Sequence, residues 1–333
     1  MRLENVLALT HGLLINRPFV SSFTNTVFRS KDVRRGDIFM AFDDSEIENA
    51  IFNGAYAIIF DKPTQISDNE IAWIKVENVK DALKKLLRFR LIEKKVTVYE
   101  CDEITLKLAL QVITEPSFVV VNGDIQEISE VLWHLEEKTT LLFCPTLNDS
   151  DLFTKIESLP DKNIEKIKIV EKTLFETSFI YENVFYERQL ISPFFTPYLE
   201  NLLQLYKSLK IAYRLKKFTS LEHFEALFVN NNLEEKEFGT SDKVLIFEQN
   251  IALVKSEINF LHKEANWAKT IILIPFEYSE LKNSYKNVFV FNNSIETIEI
   301  LQKNDFHFAL VVGVEKSILT KSAPKQKQLT LTF

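Results

Sequence analysis

The sequence predicts an α/β protein of three consecutive domains, the central and C-terminal ones built on mostly parallel sheets. Three observations predict it. Short apolar runs alternate with helical stripes along most of the chain. The runs are continuous rather than alternating, which suits strands covered on both faces. The length, 333 residues, fits two or three domains of roughly 100–200 residues each.

The first domain spans residues 1–92. Met1–Leu14 spaces Leu3, Val6, Leu7 and Leu14 like an amphipathic helix. Asp37–Phe42 (DIFMAF), Ala55–Phe60 (AYAIIF) and Ala72–Val76 are apolar runs of strand length. Glu46–Gly54 reads as a helix ended by glycine, the residue that adopts the left-handed turn past a helix end at least cost. Val79–Leu91 places apolar residues at 79, 82, 83, 86, 87 and 91, a helical stripe.

The second domain, 93–212, repeats the alternation. Val96–Tyr99, Phe118–Val121 and Leu141–Cys144 are expected strands. Thr105–Ile113, Glu127–Leu135, Asp151–Leu159 and Phe194–Ile211 are expected helices. In the third domain, 213–333, Lys243–Phe247, Thr270–Ile274, Val288–Phe291 and Ala309–Val312 are expected strands. Ile251–Leu261 and Ser294–Gln302 are expected helices, and Lys321–Gln328 is a polar, basic tail segment.

Composition excludes several function classes. A net charge of −7 opposes nucleic-acid binding, which uses a basic face. No apolar run reaches the ~18 residues of a membrane span; Phe308–Val314 is the best and is far shorter. The N-terminus lacks the uninterrupted apolar stretch of a signal peptide, so a cytoplasmic location is expected. Cys101 and Cys144 are too far apart in sequence to chelate, and in a reducing compartment they stay thiols. The histidines, His11, His134, His223, His262 and His307, show no metal-ligand spacing, and no metal or cofactor is expected. Glycine numbers six, where ordinary usage of ~7% would give about twenty-three. Backbone amides approach a phosphate closely through glycine, so the chain has little material for a phosphate-cradling loop.

The order of short motifs resembles one family. RSKDVRRGDIFMAF (29–42) resembles the N-terminal signature D-S-R-K-V-K-P-G-D-L-F-V-A of the Mur ligases, which add amino acids to UDP-linked muramic acid during peptidoglycan synthesis. IENAIFNGAYAIIF (47–60) resembles that family's helix, Gly-Ala and strand; IKVENVKDALKKLL (74–87) resembles its next strand, acidic turn and helix. The resemblance implies the three-domain Mur-ligase architecture. It places UDP recognition on Ser30 and Lys31. Arg29 and Lys31 replace the family's Asp and Arg, and lysine lacks the guanidinium fork. The loop that in the family holds the sugar nucleotide is cut to FDDSE (42–46).

In the central domain the resemblance implies strand, G-T/S-N-G-K-T-T, helix. The matching stretch is VTVYECDEITLKLALQVI (96–113), with Thr105 at the loop's threonine. Glu100 and Glu103 replace the glycines and Ile104 replaces the lysine. A phosphate would there meet Glu100, Asp102 and Glu103, a repulsion of several kcal/mol at intermediate dielectric. The chain contains no Gly-Lys pair. An alternative placement at Asn122-Gly123-Asp124 also lacks lysine, and Asn122 stands where the family has an acidic Mg²⁺ ligand. LLFCPTLNDSDLFTKIESL (141–159) resembles the later strand and T-N turn.

HFEALFVNNNLEEKEFGTSDKVLIFEQNIALVKSEINFL (223–261) resembles the C-terminal stretch from P-G-R through D-x-Y-N to its helix. Asn250 matches the Asn, the Arg is absent, and Phe247 or Glu248 replaces the Asp. FALVVGVEKSILTK (308–321) resembles the late K-G-S-R turn. The likeness is closest to the branch that adds D-alanyl-D-alanine. Thr105 and Asn250 are thus the nucleotide-site remnants, and Ser30 and Lys31 the substrate-site remnants. The expected function is a non-catalytic scaffold or regulator of cytoplasmic cell-wall synthesis. It has a protein partner in wall synthesis or division and at most weak UDP-sugar binding. The alternative is a divergent, active ATP-dependent ligase acting on a UDP-muramyl peptide.

Overall fold

The computed structural model describes residues 1–145, 150–159 and 167–322. Its contacts group into two compact units: Met1–Asp161 with Asn201–Arg214, and Lys162–Glu200 with Leu215–Phe333. The segments 1–92 and 93–161 each build a sheet of their own inside the first unit.

The first segment runs α1 (Leu3–Thr10), β1 (Leu13–Leu14), β2 (Thr26–Val27), β3 (Ile38–Met40), α2 (Ile47–Phe52), β4 (Ala57–Phe60), β5 (Ala72–Lys75) and α3 (Val79–Glu93). The sheet order is β1-β5-β4-β3-β2. It is parallel from β2 to β5, with β1 added antiparallel. β3 and β4 are buried at every position, which is why they read as unbroken apolar runs. The buried side chains of α3 are Val79, Ala82, Leu83, Leu86, Leu87 and Leu91, the stripe expected from sequence. Asn78 caps α3 by accepting from the Asp81 amide. Gly54 follows α2 at φ +100°, and a Cβ there would lie 3.1 Å from Arg35 Cα.

The second segment runs β6 (Thr97–Glu100), α4 (Glu103–Ala109), β7 (Val112–Thr114), β8 (Phe118–Val120), α5 (Ile125–Trp133), β9 (Thr140–Phe143) and β10 (Glu157–Ser158). Strands β10-β6-β9-β8 form an all-parallel sheet. One continuous core holds Leu83 and Leu87 of α3 together with Ile128 and Leu132 of α5.

Two expectations for this segment fail. The helix expected over Thr105–Ile113 stops at Ala109, and Val112–Thr114 is a strand; β-branched Val, Ile and Thr favour extended backbone. The helix expected over Asp151–Leu159 is a single turn at Ser150–Leu152 followed by β10. Leu152 and Phe153 are both buried, and Phe153 packs 4.6 Å from Phe143. Lys84 fixes Asp151 at 2.9 Å from the flank of α3. Two adjacent plugs anchored from one side leave no helical face to bury. The T-N turn, Thr146 to Asn148, and the tail beyond Ser322 lie outside the described residues.

A three-stranded antiparallel meander follows: β11 (Lys168–Lys172), β12 (Thr177–Tyr181) and β13 (Val184–Gln189). The sequence gives it little signal, because only the central strand is buried while β11 is exposed throughout. Then come α6 (Thr196–Leu209) and β14 (Tyr213–Leu215).

The last stretch holds β15 (Glu225–Val229), β16 (Lys243–Glu248), α7 (Ile251–Glu264), β17 (Thr270–Pro275), β18 (Val288–Phe291), α8 (Ser294–Lys303), β19 (Phe308–Val312) and α9 (Ser317–Ser322). The sheet order is β15-β16-β19-β17-β18. All pairs are parallel except β15 with β16. Among the described residues no helix is long and apolar enough to cross a membrane.

Candidate functional site

In the central sheet, β6 ends at Glu100, and the chain turns through Cys101 and Asp102 into α4. Asp102 is the N-cap, with extended backbone at φ −74° and ψ 165°. Its Oδ1 accepts from the Thr105 amide at 2.9 Å. Its Oδ2 accepts from the Thr105 hydroxyl at 2.8 Å. Thr105 is completely buried. A helix N-terminus attracts anions through unpaired amides and its dipole. Here the protein's own carboxylate occupies that place, with Glu100 and Glu103 beside it in sequence. The Cys101 thiol is pushed well above its usual range by burial and then by the nearby Asp102 charge.

The alternative loop at Asn122-Gly123-Asp124 is closed in the same way. Asp124 accepts from the amides of Gln126 at 2.8 Å and Glu127 at 3.0 Å. Glu127 reaches back to accept from the Asp124 amide at 2.9 Å. This reciprocal capping box satisfies the first turn of α5. Asn122, where the resemblance expects an acidic metal ligand, is exposed. A neutral amide offers little to a hard divalent cation, so these residues do not fit a Mg²⁺–nucleotide pair.

In the first sheet, Ser30 and Lys31 open a short turn, Ser30–Asp32. Ser30 is buried; its amide donates to Glu46 Oε2 at 2.7 Å, and its carbonyl accepts from Asn53 Nδ2 at 2.9 Å. Glu46 belongs to the shortened 42–46 loop, which folds as a turn capped by Asp43. The 42–46 loop is thus tied to the Ser30 backbone. Lys31 lines a cavity of about 380 Å³ with Arg29, Arg34, Asp32, Glu130 and His134; Ser30 is not among its walls.

In the second unit, Asn250 caps α7, its side chain accepting from the Ala252 amide at 3.0 Å. The Asn250 amide donates to Glu248 Oε1 at 2.6 Å. Glu248 is fully buried at the end of β16. It also accepts from His223 Nδ1 at 2.9 Å and from the Phe224 amide at 3.1 Å. Glu257, fully buried on α7, faces the same carboxylate. Burial and then the Glu248 charge push the Glu257 carboxyl up to about 10, so it holds its proton, and neither of its oxygens has a hydrogen-bond partner among the described residues. Burial alone would raise Glu248 too, but the hydrogen bonds from His223 and the Asn250 amide help outweigh it and hold Glu248 below its usual range. This His–Glu–Glu cluster escaped the sequence reading. Its signal was there: Glu257 sits on the buried α7 stripe of Val254, Ile258 and Leu261.

Thr105 lies in the first unit and Asn250 in the second. Each of these two positions serves a helix start: Thr105 is held by the cap of α4, and Asn250 is the cap of α7.

No protein-family model matches the chain, and no curated protein matches it in sequence. Solved structures do match in fold. MurF from Acinetobacter baumannii aligns with a TM-score of 0.54 at 10% identity, over 93% of this chain and 95% of that one. MurF ligase from Thermotoga maritima, solved in complex with ADP, aligns with a TM-score of 0.50 at 13% identity, over 90% and 98% of the two chains. At such identity fold is what the chains share, and the protein described here has a Mur ligase-like fold.

Proposed function

We propose that this protein is a non-catalytic Mur-ligase-like scaffold or regulator of cytoplasmic peptidoglycan synthesis, acting through a protein partner. One observation carries the reading: the Asp102 carboxylate takes both the amide and the hydroxyl of Thr105 at the start of α4. A nucleotide phosphate there would have to displace a carboxylate that is hydrogen-bonded in place. It would gain neither a lysine nor glycine amides in exchange. Fold alone does not carry activity, and a folded module without its phosphate loop retains its surfaces.

The test is calorimetry with Mg-ATP at millimolar concentration, alongside thermal melting. No saturable heat and no rise in Tm are expected. A ligand at 100 Kd stabilises by about 2.7 kcal/mol, so saturable binding with a matching Tm rise would overturn the proposal in favour of a divergent ligase.

A further inference from the structure

The second unit contains a trough of about 720 Å³ whose lining includes neither Asn250 nor Glu248. Phe175, Phe228, Phe238, Trp267 and Phe308 form its aromatic walls. Val244 is the second residue of β16 and Phe308 the first of β19, so the trough lies at the end of the sheet opposite Glu248 and Asn250. Trp267 is 70% exposed and Phe238 47% exposed. Both are nonetheless positioned: Trp267 stands 5.5 Å from His307 and 6.1 Å from Phe308, and Phe238 4.8 Å from Phe228. Large aromatic rings held in water around a concavity mark a binding site more often than a resting surface.

Three features set the sign of the ligand. Aromatic faces carry negative quadrupole density and attract ammonium or guanidinium groups. Asp242 lines the trough and has no ion-pair partner among the described residues. α7 ends at Glu264, so the negative end of its dipole meets the trough wall. The one cation on the wall, Lys172, is already neutralised by Glu264 at 2.7 Å. An anion would meet Asp242 and the helix end; a neutral apolar group would leave the carboxylate unused.

We infer that this trough receives a lysine or arginine side chain, with its apolar stem, from a protein partner. The inference deepens the scaffold reading by assigning the partner's chemistry, and it rests on that reading for the source being a protein. Fluorescence anisotropy with the full chain tests it. The probe is fluorescein-labelled Gly-Pro-Lys-Leu-Lys-Pro-Gly amide, and the comparator has both lysines replaced by norleucine. Saturable binding of the lysine peptide is expected, weakened about tenfold by Trp267→Ala and about threefold by Asp242→Asn. Both substitutions fall on exposed side chains, and an unchanged melting curve will show that the fold persists. Equal binding of the norleucine peptide would overturn the inference, as would no binding of either. Butylammonium competing at the same concentration as the peptide would overturn the protein source in favour of a free amine. Mg-ATP turnover on the same preparation would count against the scaffold reading and leave the trough result standing.

Discussion

The Thr105 hydroxyl donates to Asp102 Oδ2 at 2.8 Å while the Thr105 amide donates to Oδ1 at 2.9 Å, so one carboxylate closes the start of α4. The consequence is structural before it is functional. A cap that satisfies both an amide and a buried hydroxyl stabilises a short helix whose inward face carries Ile104, Leu106 and Leu108.

Asp102→Ala is therefore expected to destabilise the protein by about 1–2 kcal/mol, the usual cost of removing an N-cap. Thr105→Ala should cost less, about 1 kcal/mol, because the amide keeps its acceptor. Chemical denaturation measures both. If Asp102→Ala instead raised stability and produced Mg-ATP binding, the carboxylate would be guarding a working phosphate site.

The shortened 42–46 loop leads to a second expectation. Glu46 accepts from the Ser30 amide, so the backbone that would face a uridine nucleotide is engaged within the protein. The cavity beside Lys31 balances Arg29 and Arg34 with Asp32 and Glu130. UDP-muramyl tripeptide should bind with a Kd no tighter than about millimolar, roughly −4 kcal/mol. Calorimetry giving a micromolar Kd that Ser30→Ala weakens would reverse this expectation.

Much of the fold was legible because the strands are buried on both faces. Unbroken runs such as Ala57–Phe60 and Thr270–Pro275 announce themselves. The α3 stripe could be read residue by residue. The meander at 168–189 was not legible, because an exposed strand such as Lys168–Lys172 carries little hydrophobic pattern. The acidic, lysine-free run of Glu100, Asp102, Glu103 and Ile104 is plain in the sequence, but not that Asp102 turns inward as a cap. In sequence, Phe247 and Glu248 are equal candidates for the place of the aspartate that the resemblance expects. The pairing of Glu248 with Glu257 and His223 depends on strand and helix meeting in space, which spacing alone does not specify.

The buried carboxyl pair gives a pH prediction. The Glu257 carboxyl is raised to about 10 from 4.5. Its contribution to stability is fully present below the unfolded value and diminishes as pH rises toward the folded one, because the unfolded chain ionises while the folded chain holds its proton. By pH 7 the loss is on the order of 3 kcal/mol at one unit per 1.36 kcal/mol. Glu248 runs the other way: its folded value is lowered, so its contribution is present above the unfolded value and is lost as pH falls through the folded one. Glu257→Gln keeps a neutral side chain of the same size beside Glu248 and removes the ionisation. The variant should match wild type near pH 4.5 and become progressively more stable than wild type through pH 9. Parallel pH dependences of the two proteins would show that Glu257 does not hold its proton.

The final prediction separates surface from site in the cell. If the protein works as a scaffold, its loss should change cell shape or wall composition. A chain carrying Thr105→Ala, which removes one hydrogen bond of the α4 cap at a cost of about 1 kcal/mol, should restore the wild-type state. The net charge of −7 favours a basic partner surface, since complementary charge speeds and orients association. Raised salt should therefore weaken partner capture by the purified chain. A ligase needs its central site, whereas a scaffold needs only its fold and its faces. Complementation by Thr105→Ala, with wall muropeptides analysed by chromatography, distinguishes the two. If Thr105→Ala is stably produced yet reproduces the deletion, the central site has a task that the fold alone does not perform, and the scaffold proposal fails.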